Sequence, residues 1–134
     1  MPEHRKTTVV YENLHKILAI AVDADLNFLI WADKTTNKIE YSDLDGKHRL
    51  TLYSESDIHP LSMATQSKYL FWIEKERKSI EKIPLDLNAG NNKQTIYTKI
   101  SHLSDIISVQ PMKRNASNLF CSVSFFWLVY SLFV

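Results

Sequence analysis

The apolar residues of this chain occur in short runs that are separated by polar turns. The runs 17–22, 28–32, 37–42 and 49–53 are rich in β-branched and aromatic residues, and the third run alternates between apolar and polar positions. The turn Asp43-Leu44-Asp45-Gly46 contains an Asp-Gly step, which tolerates the positive φ of a tight hairpin. The pattern therefore predicts four short strands within about forty residues.

The same pattern occurs a second time at an offset of 41 residues. Residues 26–33 align with residues 67–74 without a gap. Each copy has a tryptophan that is followed two residues later by an acid: Trp31 and Asp33 in the first copy, Trp72 and Glu74 in the second. Unrelated hairpins that align by chance are the alternative, but chance rarely places a tryptophan and an acid in register.

The alignment extends on both sides of this central match. At the same offset, residues 20–22 align with 61–63, and the pair Ile-Glu recurs. The turn at 87–92 is longer in the second copy, so residues 52–53 align with 96–97 at an offset three residues larger. Added length in a polar turn costs little free energy. We therefore expect one supersecondary unit to be present twice.

Four strands in a repeat of about forty residues are typical of a β-propeller blade. The sequence thus predicts an all-β chain with two consecutive four-stranded antiparallel blades. Residues 7–11 read as the outer strand of a preceding blade, and residues 105–109 read as the first strand of a following one.

The tetrapeptides Ile30-Trp31-Ala32-Asp33 and Phe71-Trp72-Ile73-Glu74 resemble the Tyr-Trp-Thr-Asp (YWTD) signature of the class B repeats of low-density-lipoprotein receptors. Residues 19–23 resemble the stretch that opens such a repeat, and residues 39–46 resemble its third strand and turn. The resemblance implies a six-bladed propeller, of which this chain carries two blades. In the family, an EGF-like module usually follows.

The order of the later motifs narrows the resemblance. Residues 59–62 and 104–107 look like parts of a last blade, and Asn115-Ala116-Ser117 before Cys121 resembles the segment that leads into the EGF-like module. The order is most similar to the first propeller of the arrow-type receptor-related Wnt co-receptors. The implied domains are the end of a preceding blade at 1–13, a blade at 14–57, the last blade at 58–110, a linker toward a missing EGF-like module at 111–121 and an apolar tail at 122–134.

The apolar tail and the single cysteine bear on the cellular compartment. Residues 119–134 are almost wholly apolar but shorter than the about 20 residues of a membrane-spanning helix. No secretory signal is recognised at the N-terminus. We interpret the tail as the edge of an incomplete gene model, in which the partner cysteines of Cys121 are missing; a short hydrophobic anchor is the alternative.

Composition and motifs exclude several classes of function. The formal net charge is +1, from 16 basic and 15 acidic residues, which gives no electrostatic case for nucleic acid. The five histidines lack metal-ligand spacing, and no nucleophile elbow, P-loop or dinucleotide-binding glycine motif occurs. We therefore expect no catalytic residue, no metal and no cofactor.

The resemblance assigns structural roles to the signature residues. Trp31 and Trp72 are expected to fill the wedges between blades, where truncation of a tryptophan to alanine costs about 3–5 kcal/mol. Asp33 is expected to accept hydrogen bonds from backbone amides of an adjacent blade, and Glu74 takes the same position with a longer side chain. Asn115 is a possible N-glycosylation site.

Three further positions lie toward the ligand-binding face in the family. They are His59, which precedes Pro60 at the start of a first strand, and Lys34 and Lys75, which stand where the family often has an aromatic residue after the signature. We take His59, Lys34 and Lys75 as possible ligand-face residues.

The leading functional hypothesis is that the chain is a ligand-binding part of a low-density-lipoprotein receptor-related protein that resembles the Wnt co-receptors. In the parent protein it would lie on the extracellular side of the plasma membrane. It would bind secreted Wnt-type ligands or their antagonists, without catalysis, through the complete propeller, and it would require the other blades. An endocytic lipoprotein receptor or an extracellular-matrix scaffold is the first alternative. An intracellular propeller enzyme is the second.

Overall fold

A computed structural model of the chain describes residues 8, 10, 12–90 and 92–108. These residues contain eight β-strands, as follows: β1 (Ile17–Asp23), β2 (Phe28–Asp33), β3 (Lys38–Asp43), β4 (Leu50–Ser54), β5 (Pro60–Gln66), β6 (Tyr69–Glu74), β7 (Ser79–Pro84) and β8 (Gln94–Tyr97). The strands begin and end within one or two residues of the apolar runs in the sequence. Within the described residues there is no helix long and apolar enough to cross a membrane.

The strands form two separate four-stranded sheets in the order β1-β2-β3-β4 and β5-β6-β7-β8. All neighbouring pairs are antiparallel, and each sheet has a register shift in its first and its third pair. The prediction of two four-stranded antiparallel blades is thereby confirmed. We call the sheet β1–β4 the first blade and the sheet β5–β8 the second blade.

The correspondence of the two first strands differs from the alignment of the sequence. Ile20 pairs with Trp31, whereas Met63 pairs with Trp72, so Ile20 corresponds to Met63 and not to Leu61. The reason is the turn after each first strand, which spans 24–27 in the first blade but only 67–68 in the second. A shift by two residues preserves the face of the strand, so the apolar pattern did not reveal it.

The longer turn in the second blade is confirmed. The connection between β3 and β4 covers residues 44–49, and the connection between β7 and β8 covers residues 85–93. Gly46 takes a φ of 79° and donates its N–H to the Asp43 carbonyl at 3.0 Å, as expected of an Asp-Gly turn.

The expected strand at 105–109 is not formed in its described part, because residues 105–108 carry no strand pairing. This segment instead runs beside β5, where the Ser62 hydroxyl donates to the Asp105 carboxylate and accepts the N–H of Ile106 at 3.3 Å. Ladder pairing needs a second strand, and no described strand follows this segment. The expected strand at 7–11, the acceptor Asn115, Cys121 and the apolar tail lie outside the continuous described ranges.

The largest core cluster lies between the two blades. Ile30, Ala32 and Ile39 of the first blade share it with Leu70 and Trp72 of the second. A smaller cluster, formed by Phe71, Ile73, Ile80 and Ile106, lies on the opposite face of the second blade. The first strands β1 and β5 lie side by side. The two sheets therefore pack face to face, as neighbouring propeller blades do.

Candidate functional site

One end of both sheets gathers most of the residues singled out in the sequence. The strands β1, β3, β5 and β7 begin there, and β2, β4, β6 and β8 end there. We call it the upper end; it is formed by residues 12–16, 34–37, 55–59, 75–78 and 98–103. The turns 43–50 and 84–94 belong to the opposite, lower end.

Asp33 closes the upper end of the first blade. Its side chain is fully buried and accepts the backbone N–H groups of His15 at 3.0 Å, Lys16 at 3.2 Å and Thr35 at 2.9 Å. Burial raises the pKa of Asp33, but the three amide donors, together with the His15 side chain, outweigh it and hold the pKa below its ordinary value.

The predicted source of these donors is wrong. The amides come from the segment that leads into β1 and from the β2–β3 turn, so they belong to the blade of Asp33 itself and not to an adjacent blade. The reason is the antiparallel pairing of β1 with β2, which brings the start of β1 next to the end of β2, where Asp33 lies.

Glu74 has the corresponding position in the second blade and a different electrostatic balance. It is fully buried, accepts the His59 N–H at 2.9 Å and the indole N–H of Trp72 at 3.3 Å, and lies 3.3 Å from the Arg77 guanidinium. Burial raises the pKa of Glu74 above its ordinary value, even though Arg77 and the His59 amide oppose it.

The two signature tryptophans have different surroundings. Trp72 is fully buried between the blades, with its ring 5.7 Å from that of Tyr53 in the first blade. Trp31 lies on the face of the first blade that is turned away from the second. There it donates its indole N–H to Glu40 at 3.3 Å, and the Arg49 guanidinium lies 5.2 Å from its ring centroid.

The three possible ligand-face residues lie together at the junction of the two blades. The Lys34 ammonium is 3.3 Å from Nδ1 of His59, and the same nitrogen is 3.2 Å from a carboxylate oxygen of Glu76. The charges of Lys75 and Lys16 also act on the His59 ring. We call Lys16, Lys34, His59, Lys75 and Glu76 the junction cluster.

Backbone pairing sets up the junction cluster. The N–H of Lys34 donates to the Lys16 carbonyl at 2.9 Å, and the N–H of Lys75 donates to the His59 carbonyl at 3.1 Å. His59 therefore takes the place in the second blade that Lys16 has in the first. Because β1 and β5 are neighbours, the two pairs of residues lie next to each other.

The positive charge of the junction cluster acts on its histidine. Burial and the charges of Lys34 and Lys75 lower the pKa of His59, while Glu76 opposes this shift. The imidazole side chain is 17% exposed, so a solute can reach it. At neutral pH the ring is a neutral, polar group among ammonium groups.

Residues beyond the predicted set connect the blades beside this cluster. Arg77 lies 2.9 Å from Glu55, in the segment between the blades, and 3.8 Å from the buried Glu81. Lys93 approaches Glu55 to 2.8 Å. Arg77 is therefore a structural contact between the blades, although it lies in a stretch of mixed charge, residues 74–78, that by sequence alone is typical of a solvated loop. No local pattern marks this residue, because its partners are set by the packing of the blades.

A cleft of about 340 Å³ opens beside Lys75 at the upper end of the second blade. Ile73, Ile100 and Leu103 line its apolar part, and Ile100 donates its N–H to the Lys78 carbonyl at 3.1 Å, as Glu55 does to that of Asn37 at 3.3 Å. Ile100 therefore corresponds to Glu55 of the first blade, and beside Glu55 the space is occupied by Arg77 of the second blade. The cleft at the second blade is thus the space that a following blade would fill, as the second blade does for the first.

The described residues contain no group of three or more His, Cys, Asp or Glu side chains that could hold a metal ion. His59 interacts with Lys34 and Glu76, whereas His15 lies beside Asp33 and His48 beside Asp43 at the lower end. The arrangement at the junction offers charge and hydrogen bonds for recognition.

Comparison with curated proteins finds relatives across most of the chain. It is 32% identical to low-density lipoprotein receptor-related protein 4 of Homo sapiens over 105 residues, which are 78% of this chain and 5% of the relative. It is 32% identical to low-density lipoprotein receptor-related protein 5 of Homo sapiens over 93 residues, which are 69% of this chain and 6% of the relative. The chain thus spans about a twentieth of the length of these relatives. No family model matches the chain.

Comparison with solved structures supports the fold. A chain in the crystal structure of a nidogen/laminin complex superimposes with a TM-score of 0.61 at 21% identity. The match covers 75% of this chain and 39% of the other. At this identity the likeness concerns the fold alone, which is that of adjacent blades in a propeller.

Proposed function

Because this chain is homologous to low-density lipoprotein receptor-related proteins 4 and 5 and belongs to their YWTD-propeller family, we propose that it is part of a protein-binding propeller face. The junction cluster would contribute to that face, and the function would be recognition without catalysis. The observation that carries the proposal is the convergence of Lys34, His59 and Lys75 from two blades at one end of the sheets.

The finer assignment is a receptor for secreted Wnt-type ligands or their secreted antagonists, on the extracellular side of the plasma membrane. It is supported by the 32% identity to receptor-related protein 5 and by the order of motifs along the chain. In this assignment other blades complete the face. The cleft at Ile73 and Leu103 of the second blade corresponds to the space at the first blade that the second blade fills. The signature residues, with Asp33 and Glu74 at the strand ends, hold the face in shape.

A binding experiment on the complete propeller tests the proposal, because the proposed face requires the other blades. The propeller that contains these two blades, immobilised through a terminal tag, is exposed to purified Wnt ligands and their secreted antagonists, and binding is followed by interferometry. We expect saturable binding of at least one of them, and we expect the double variant Lys34→Glu/Lys75→Glu to weaken it. The double variant Lys47→Glu/Lys68→Glu reverses the same number of charges at the lower end and serves as the matched control.

Laminin belongs in the same panel, because the structural neighbour comes from a nidogen/laminin complex. Binding of laminin alone would replace the Wnt assignment by the extracellular-matrix alternative. The proposal that the junction cluster is a protein-binding face fails if every ligand bound by the chain is bound equally well by the Lys34→Glu/Lys75→Glu variant.

A further inference from the structure

The junction cluster has more positive than negative charge. Within the described part of the chain, no ion pair joins Lys16, Lys34 or Lys75 to a carboxylate, and Glu76 interacts with His59. At the surface, three ammonium groups and one imidazole therefore share a single exposed acid, while the Asp33 and Glu74 carboxylates are buried at the adjoining strand ends. Such a group of like charges is stabilised when an anion binds among them.

The excess charge is local. The whole chain has a formal net charge of only +1, and the nearby cations Arg77 and Lys93 are both paired with Glu55. An extended polyanion needs a stripe of unpaired basic residues, because its binding depends on the number of charges neutralised. The three exposed lysines of the junction cluster lie at a single blade junction, and they match one or two carboxylates instead.

We propose that the junction cluster binds an acidic side chain, Asp or Glu, of a protein partner, with the carboxylate held between the ammonium groups of Lys34 and Lys75. The inference rests on the proposed function, since it names the chemistry that the same face recognises. A lysine ammonium is a compact charge with three donors on a flexible stem, so two of them can adjust to one carboxylate. His59 lies directly beside this place, because its Nδ1 is 3.3 Å from the Lys34 ammonium.

Proton uptake by His59 distinguishes this site from simple surface attraction. In the free chain the charges of Lys16, Lys34 and Lys75 disfavour the protonated His59 ring, whereas Glu76 favours it. The buried Glu74 carboxylate accepts the backbone N–H of His59 and not a ring nitrogen. A bound carboxylate adds a negative charge beside the ring and raises its pKa. By linkage, the complex then binds more protons than the free chain, and the affinity increases as the pH falls from 8 to 6.

Fluorescence anisotropy with two matched peptides tests the proposal. The probe is a fluorescein-labelled Gly-Ser peptide with a central Glu-Glu pair, and its control has Gln-Gln at the same place. We expect the full chain to bind the Glu peptide about tenfold more tightly than the Gln peptide at low salt, the order expected of two exposed ion pairs. The Lys34→Glu/Lys75→Glu variant is expected to lose this preference, and the Lys47→Glu/Lys68→Glu variant to keep it.

The His59→Gln variant separates a role in recognition from a role in folding. We expect it to bind the Glu peptide within about twofold of the parent chain at pH 8, yet to lose the gain in affinity between pH 8 and pH 6. Near-ultraviolet circular dichroism, which reports the packing of the aromatic side chains, shows whether each variant keeps its fold. A pH dependence that is the same in the parent chain and in His59→Gln would overturn the assignment of the histidine.

Further arms distinguish other anions and the proposed function itself. A sulfated oligosaccharide or vesicles of phosphatidylserine that compete better than the Glu peptide would overturn the inference in favour of a polyanion or a membrane. If a protein ligand binds through Lys34 and Lys75 but the Glu peptide does not bind, the inference fails and the proposed function stands. If the Glu peptide binds and no protein ligand does, the proposed function fails and the acidic specificity stands.

Discussion

The two blades carry the same tryptophan in two different environments. Trp72 lies inside the junction, against Tyr53 of the first blade, and donates its indole N–H to Glu74. Trp31 lies on the outer face of the first blade, under the guanidinium of Arg49, and donates to Glu40. Trp72 is therefore covered by an aromatic ring of the other blade, whereas Trp31 is covered by a cation of its own blade.

The acids at the strand ends differ in the same way. Asp33 is held by three amides of its own blade, and its pKa is lowered. Glu74 has one amide and the indole, its pKa is raised by burial, and it depends on Arg77, which also bridges to Glu55. Both acids thus find their partners in their own blade, but Asp33 has three backbone amides, whereas Glu74 has one amide, the indole and an arginine that also reaches Glu55 between the blades.

The largest expected effect concerns the junction tryptophan. We expect Trp72→Ala to lower the free energy of unfolding by about 5 kcal/mol and Trp31→Ala by about 3 kcal/mol, because only the former opens a cavity between two sheets. Urea titration followed by far-ultraviolet circular dichroism measures both. If Trp72→Ala does not fold, Trp72→Phe gives a milder comparison, with an expected loss of about 2 kcal/mol. Equal losses at the two tryptophans would remove the distinction between the two faces.

The strand-end acids are expected to respond to pH in opposite directions. A lowered pKa means that the stability supplied by Asp33 is present above its ordinary pKa and is lost as the pH falls through and below about 4. Asp33→Asn should therefore cost about 2 kcal/mol at pH 7 and progressively less toward pH 3. Urea titrations at pH 7, 5 and 3 measure this difference.

Glu74 has a raised pKa, so its ionised form is disfavoured in the folded chain and protonation relieves that cost. Relative to Glu74→Gln, the parent chain should gain stability as the pH falls from 7 through the raised pKa. The same titrations provide the measurement. A parallel trend for the Asp33 and Glu74 variants would contradict the opposite pKa shifts of the two acids.

Loss of the ion pair between Arg77 and Glu55, which joins the blades, is expected to have an intermediate effect on stability. Arg77→Met leaves Glu74 and Glu81 without their cation and should cost about 1–2 kcal/mol, less than a fully buried pair, because the Arg77 side chain is 38% exposed. A double-mutant cycle with Glu55→Gln measures the part that crosses the blades. Lack of coupling between the two positions would show that Arg77 acts only within its own blade.

The smallest effect concerns two corresponding turn residues with positive φ. Asn37 has a φ of 55° and Lys78 a φ of 51°. Asparagine tolerates this region better than lysine. We expect Lys78→Asn to stabilise the chain by about 0.5 kcal/mol and Asn37→Lys to destabilise it by a similar amount. Thermal melts of both variants are the measurement, and a change of the same sign in both would refute the correspondence of the two turns.

Much of the fold was predictable from local pattern. The strand bounds follow from short apolar runs and turn residues, and the repeat of Trp31 at Trp72 identifies two blades before any contact is known. The first strands were misaligned by two residues, because an even shift leaves the alternation of faces unchanged. The expected strand at 105–109 is not formed in its described part, since a single segment has no ladder without a partner.

The candidate site was predictable only in part. Lys34, His59 and Lys75 were identified from their positions relative to the signature, but neither Lys16 nor Arg77 was. Lys16 joins the junction cluster because β1 and β5 are neighbours, and Arg77 meets Glu55 because the second blade packs onto the first. Such long-range neighbours leave no mark in the spacing of residues along one repeat.

By itself, the sequence determined the strands, the turns and the repeated unit, because alternation, β-branched residues and an Asp-Gly step act over a few neighbouring residues. Only the tertiary structure decided which tryptophan packs against an aromatic ring of the other blade, which strand-end acid has three amide donors and which lysines lie around His59. Those outcomes depend on how two sheets pack, and packing brings together residues that are distant in the chain.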